Sequence, residues 1–186
     1  MDRALPKNKK IKPAKARGYT VDLVAGLQAL HAHGVVHRDI KVDNCLVDKR
    51  GVCKLADFGL AHLIEKRRTY DQSWDDSLSQ GIGSRKYRAP EIFQHDRHSG
   101  FKADVWAVGC VLYSLVVGAL PFDGGREKKQ QVATILNEPL ATRGGMRDDR
   151  ELEDLLCTVL EKDPTRRLTL DRLAAHRWLG AGRRHP

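Results

Sequence analysis

Fifteen consecutive residues, 103–117 (ADVWAVGCVLYSLVV), are apolar almost all round, and such a segment has only two stable destinations: a bilayer or the centre of a globular core. A membrane span needs about 20 apolar residues. This run is shorter and carries Asp104 near its start, so a buried central helix is expected. A helix buried on every side must be wrapped by other elements. Thr20, with Asp22 in the first turn, reads as a helix start, and Leu23, Leu27 and Leu30 follow at helical spacing until Gly34. Pro90 opens a short helix through Phe93, and further helical stretches are expected near 126–136, 149–160 and 170–176. Cys45-Leu46-Val47 and Val52-Cys53-Lys54-Leu55 flank Asp48-Lys49-Arg50-Gly51, the pattern of a hairpin. With 186 residues, 41% of them hydrophobic, one mainly α domain carrying a small β-hairpin is expected.

The formal net charge of +9 raises nucleic acid as a partner, but its distribution argues otherwise. Residues 1–18 hold seven bases against one acid, net +6, which leaves +3 for the rest. This head reads as a solvated, flexible segment, with domain residues 19–180 and a short tail 181–186 after it. It has no apolar stretch of the kind a secretory leader needs, and an intracellular, cytoplasmic or nuclear address is expected. The four cysteines, Cys45, Cys53, Cys110 and Cys157, show no metal-binding spacing and read as reduced thiols. Cys45 and Cys53 lie on the two arms of the hairpin, so a disulfide between them is the other reading.

Val35-Val36 leads into a polar loop, residues 38–44, that ends at the hairpin, and a second acidic loop, Asp57-Phe58-Gly59, follows the hairpin. Polar groups on loops held by a helix and a hairpin are fixed in place yet exposed, which suits chemistry. From 65 to 80 the chain is polar and without periodicity, a long loop of the regulatory kind.

His37-Arg38-Asp39-Ile40-Lys41-Val42-Asp43-Asn44, then Asp57-Phe58-Gly59, then Ala89-Pro90-Glu91, in this order and with two strands between the first two, resembles the catalytic loop, metal loop and activation-segment end of eukaryotic Ser/Thr protein kinases. The resemblance covers 19–179 and is greatest to the calcium/calmodulin-dependent and energy-sensing branch. It implies a kinase C-terminal lobe with catalytic loop 37–44, metal loop 57–59 and activation segment 57–91. It also implies roles: Asp39 receives the substrate hydroxyl proton and Lys41 neutralises the transferring phosphate, while Lys41, Asn44, Leu46 and Asp57 meet ATP. Asn44 and Asp57 supply the oxygen ligands that Mg²⁺ prefers, and Gly59 allows the backbone turn after Asp57 and Phe58. Ser84 contacts Asp39 and Lys41, Arg38 serves the activation segment, and Glu91 pairs with Arg167. His37 supports the loop without reacting, and Asp104 caps its backbone. The family commonly places a phosphorylated Thr where Gln80 stands here, so phosphate on Ser77 or Ser79, or standing charge from Asp75 and Asp76, is expected to order the segment through Arg38.

A complete kinase begins with a Gly-rich strand-turn-strand, a strand Lys and a helix Glu, and the 186 residues contain none of them. The N-terminal lobe is therefore expected to be absent, and the chain alone to transfer phosphate slowly unless a separate lobe or partner chain completes it. A docking module that competes for the Ser/Thr-bearing protein substrate, without turnover, is the alternative. Nucleic acid and membrane are not expected partners.

Overall fold

The apolar run forms helix α3 (Gly100–Val117), and the other elements pack around it. Its start is held twice: Ser99 Oγ accepts from Lys102 N at 3.1 Å, and an Asp76 carboxylate oxygen accepts from Phe101 N at 3.0 Å and from the Ser99 hydroxyl. Gly118, left-handed at φ 83°, stops it. Among the described residues this is the one helix long and apolar enough to cross a membrane, and 78% of it is buried in the protein, so the core has taken its apolar surface. The computed structural model describes residues 3–64, 75–79, 81–125 and 127–180. Most of the long polar loop, including Gln80, the first residue of the helix expected from 126, and the tail 181–186 lie outside the described residues.

In chain order the elements are β1 (Arg3–Ala4), α1 (Pro13–Ala32), β2 (Val35–Val36), β3 (Cys45–Val47), β4 (Cys53–Leu55), β5 (His62–Leu63), β6 (Ser77–Leu78), α2 (Glu91–Gln94), β7 (His98–Ser99), α3, α4 (Lys128–Asn137), α5 (Arg150–Val159), α6 (Leu170–Ala174) and α7 (Arg177–Gly180). The expected mainly helical architecture with its hairpin is what forms. The strands make three small antiparallel sheets, β1-β3-β4, β2-β5 and β6-β7. β2 and β3, which flank the polar loop in sequence, thus belong to different sheets, and β6 gives the end of the polar loop a structure its composition did not suggest.

Two expectations about the N-terminal part need correction. The basic head is not a free tail: Arg3 pairs with Val47 and Ala4 with Leu46, and Leu5 is 3% exposed. The helix starts at Pro13 rather than Thr20, because proline is well suited to the first helical position and Ala16 and Tyr19 already face the core. Both residues read as start signals have other work. The Thr20 hydroxyl donates back to Ala16 O at 2.9 Å, and Asp22 Oδ2 accepts from Cys53 N at 2.9 Å, tying α1 to the hairpin. Arg3, Lys7, Lys9, Lys10, Lys12 and Lys15 are exposed, Arg17 is half-buried over the Trp178 ring, and Leu5 and Ala16 anchor the backbone.

The hairpin register sets Cys45 opposite Leu55 and Val47 opposite Cys53, so the two cysteines are diagonal neighbours, and all four cysteines are free. A hydrogen bond with Cys53, together with burial, raises the Cys45 thiol well above its usual range and leaves it unreactive.

Candidate active site

The loop after β2 is pinned from below by α3. Asp104, 2% exposed, accepts from His37 N (2.8 Å) and His31 Nε2 (3.0 Å) through Oδ2, and from Arg38 N (3.0 Å) through Oδ1. This clamp matters because Arg38 has φ 65°, a left-handed conformation that costs a side-chain-bearing residue roughly 1–3 kcal/mol. The carboxylate is a cap on the loop backbone, as expected for Asp104; His31, stacked on Phe101, is a third partner that sequence reasoning missed.

Above the clamp four expected residues form one hydrogen-bonded cluster. Lys41 Nζ donates to Asp39 Oδ2 at 2.6 Å and to Ser84 Oγ at 3.2 Å. Ser84 N donates to Asp39 Oδ1 at 2.8 Å, and Asn44 Nδ2 donates to Asp39 O at 2.9 Å and to Oδ2 at 3.1 Å. Burial raises the Asp39 pKa, but the hydrogen bonds from Lys41 and Ser84 and the Lys41 charge outweigh it, so the carboxyl lies below its ordinary range. Asp39 is therefore ionised at neutral pH and is a hydrogen-bond acceptor. Both bonds made by Asn44 use its amide nitrogen, and its amide oxygen is what remains for a cation.

The loop at 57–59 is joined to this cluster through Ala56. Ala56 N donates to Asn44 O at 2.9 Å, and the buried His37 ring reaches Ala56 O through Nε2 at 3.1 Å. A carbonyl can only accept, so Nε2 carries the ring proton, and Nδ1 is left to accept from Asp39 N at 3.4 Å. His37 thus spans both loops without facing the cleft. Asp57 follows Ala56 directly, and its carboxylate accepts from Gly59 N at 3.3 Å. The left-handed residue of this loop is Asp57 itself, at φ 63°, and Gly59 does not have positive φ. The turn expected at Gly59 is made by Asp57, whose Oδ1 accepts from Gly59 N and supports it.

Leu46 is half-buried in the middle strand of its sheet, opposite Ala4 and Lys54. Arg38 Nε donates to Leu60 O at 2.5 Å; Ser77 Oγ accepts from Arg97 at 2.8 Å, and Asp76 caps α3, so neither Ser77 nor Asp76 is turned toward Arg38. Ser79 is exposed. Glu91 and Arg167 meet in a two-pronged pair, Nη1 to Oε1 at 2.6 Å and Nη2 to Oε2 at 2.7 Å, with both side chains 2% exposed or less.

Gly83 is the position that reading missed. At φ 90° it turns the chain so that Ser84 N faces Asp39; a Cβ there would overlap the carbonyl oxygen of Arg38 and come 3.3 Å from Asp39 Oδ1. Gly83→Ala is expected to move Ser84 off Asp39 and to destabilise the protein by roughly 1–3 kcal/mol or more. A thermal melt superimposable on the native one would contradict this.

Asn44 and Asp57 offer hard oxygen donors only, and among the described residues no three His, Cys, Asp or Glu converge as a metal-holding group. That donor set fits Mg²⁺, which keeps waters and takes one or two carboxylates plus substrate phosphates, better than a metal needing a full protein cage.

Comparison with known proteins identifies the family. The family model described as "Protein kinase domain" matches residues 1–179. The chain is 38% identical over 164 residues to serine/threonine-protein kinase GRIK1 of Arabidopsis thaliana, covering 88% of this chain and 39% of that protein. It is 35% identical over 167 residues to calcium/calmodulin-dependent protein kinase kinase cmkC of Emericella nidulans, covering 89% and 30%. Against serine/threonine-protein kinase SIK2 of Gallus gallus it is 32% identical over 179 residues, covering 95% and 21%. The chain spans about two fifths or less of the length of these relatives.

Proposed function

Because this chain belongs to the protein kinase domain family, we propose that it is the catalytic lobe of a Ser/Thr protein kinase, transferring the ATP γ-phosphoryl group to a protein hydroxyl once a second lobe covers the nucleotide. The observation that carries this reading is the ionised Asp39 carboxylate, held between Lys41 and Ser84 N within reach of Asn44. A substrate Ser or Thr hydroxyl hydrogen-bonded to Asp39 is oriented for attack on the γ-phosphorus. As the new P–O bond forms and the bond to the ADP oxygen breaks, the hydroxyl proton passes to Asp39. Lys41 stands beside the transferring phosphoryl group, and Asn44 and Asp57 would hold Mg²⁺, which would neutralise phosphate charge there. Leu46 belongs on the nucleotide side. The lobe includes β1 as well as residues from 19 on, since β1 pairs with β3 in one sheet. Four free cysteines fit a reducing, intracellular compartment.

The metal loop also exposes Phe58 (49%), Leu60 (36%) and, on β5, Leu63 (66%), the large exposed apolar side chains among the described residues. A small lobe supplied by the same or another chain would cover them. Orientation of reactants is worth about 7–11 kcal/mol in rate, so losing even about 4 of these slows transfer about a thousandfold. The 186-residue chain alone is expected to phosphorylate a Ser/Thr peptide barely above background. Fusion to a Gly-rich lobe bearing a strand Lys is expected to restore turnover, and Asp39→Asn to lower it roughly 10²–10⁴-fold. A fused enzyme indifferent to Asp39→Asn would end the catalytic reading, and a fusion that binds substrate without turnover would favour the docking module.

A further inference from the structure

The cleft lined by Lys41, Asn44 and Ser84, the three residues whose hydrogen bonds hold Asp39, carries information about which peptide enters it. Its volume is about 1020 Å³, and a peptide presenting a hydroxyl to Asp39 has this cleft beside it. The rim contributes three bases, Lys7, Arg85 and Lys86, and two acids, Asp43 and Asp123. Both acids are already occupied: Lys7 Nζ sits 3.0 Å from Asp43 Oδ1, and Lys86 Nζ 2.7 Å from Asp123 Oδ1. Arg85 has no carboxylate partner among the described residues. Arg88, three positions on, is spent on Gly83 O at 2.7 Å. A basic side chain arriving in this cleft would have to displace a lysine to reach a carboxylate and would be repelled by Arg85 on the way. An acidic one meets Arg85 unopposed.

We infer that this cleft selects a peptide with anionic residues close to the acceptor Ser or Thr, read chiefly by Arg85, and that Lys7 excludes basic peptides by occupying Asp43. The inference rests on the phosphotransfer reading for the placement of the hydroxyl. Arg85 directly follows Ser84, which touches Asp39, and adjacent Cα atoms are about 3.8 Å apart. The anion is therefore within about three residues of the acceptor, given about 3.3 Å per extended residue. Carboxylate and phosphate share this chemistry, and the peptides chosen for the test separate them.

The test is fluorescence anisotropy with the 186-residue chain and labelled peptides in which Ala replaces the acceptor, flanked by Asp/Glu, by neutral residues, by Lys/Arg, or by phosphoserine. Exposed charge pairs each give roughly 1.4- to 5-fold in affinity. The acidic peptide is expected to bind about fivefold or more tighter than the basic one, with the gap closing in 0.5 M salt, where screening acts within about 4 Å. Arg85→Glu is expected to reverse the order, and Lys7→Ala, which frees Asp43, to improve the basic peptide about threefold. If a melt shows Arg85→Glu unfolded, Arg85→Gln reads the same loss of acidic preference. Binding of the phosphoserine peptide alone would assign the cleft to previously phosphorylated segments, and binding of both anionic peptides to carboxylates as well. Equal binding of all peptides, tighter binding of the basic one, or an order unchanged by the Arg85 variants would overturn the inference. These peptides cannot be phosphorylated, so this outcome is independent of whether the fused enzyme turns over.

Discussion

Arg167→Ala is expected to lower the melting temperature more than the other single changes considered, by roughly 6–20 °C, because it leaves the Glu91 carboxylate buried with its partner gone. The guanidinium also donates to the carbonyls of Glu161 (2.9 Å), Lys102 (3.1 Å) and Lys162 (3.2 Å), and lies over the Trp106 ring with its carbon 4.9 Å from the centroid. One side chain therefore joins α2, α3 in the core and the loop after α5. Breaking a buried pair from one side costs about 3–5 kcal/mol, against a total stability of about 5–15 kcal/mol for a domain. At about 2–4 °C per kcal/mol for a chain of this size, the shift follows. Glu91→Ala should cost less, since Arg167 keeps three carbonyls. Replacing both by apolar residues, as in Glu91→Leu with Arg167→Met, should recover much of the loss, because no buried charge then stands alone. Circular dichroism melts of the four proteins compare these outcomes. An Arg167→Ala midpoint within 2 °C of native would show that the pair contributes little.

Asp104→Ala is the second large effect, and it acts on the loop more than on the whole fold. Removing the carboxylate leaves the amides of His37 and Arg38 without their acceptor, at about 1–3 kcal/mol for each buried group. The left-handed Arg38 then loses what holds it there. Asp39, one residue on, depends on that conformation to face Lys41 and Ser84. Hydrogen exchange at His37 and Arg38 is expected to speed up at least about a hundredfold, while amides in the middle of α3 change no more than the global stability does. In a lobe-completed enzyme, turnover should fall with it. Asp104→Asn should lie between, since one amide oxygen can serve one N–H but its NH₂ faces the other. Unchanged protection at His37 and Arg38 in the alanine variant would mean that the loop holds its shape without the clamp.

The elements that local chemistry specifies were legible in the sequence. An apolar run with no polar face has to be the core helix, and residues 48–51, between two short apolar arms, have to turn. The resemblance of residues 37–44 to a kinase catalytic loop singled out Asp39, Lys41 and Asn44, which the fold joins by hydrogen bonds. Each of these signals spans a few residues, where backbone sterics and side-chain periodicity decide the outcome. The rest was settled by partners far away in the chain. Whether residues 3–18 were tail or fold depended on the edge of β3, some forty residues on, accepting β1. Thr20 and Asp22 looked like a helix start because nothing local showed that Ala16 and Cys53 would use them instead. The left-handed turn fell on Asp57 rather than Gly59 because Ala56 is fastened to Asn44 and His37. Lys7 and Asp43, 36 positions apart, meet only once β1 has paired. Pattern in a sequence records what a residue prefers by itself; which of several polar groups it finally meets is chosen by the packing that brings distant segments together, and that choice shaped the site.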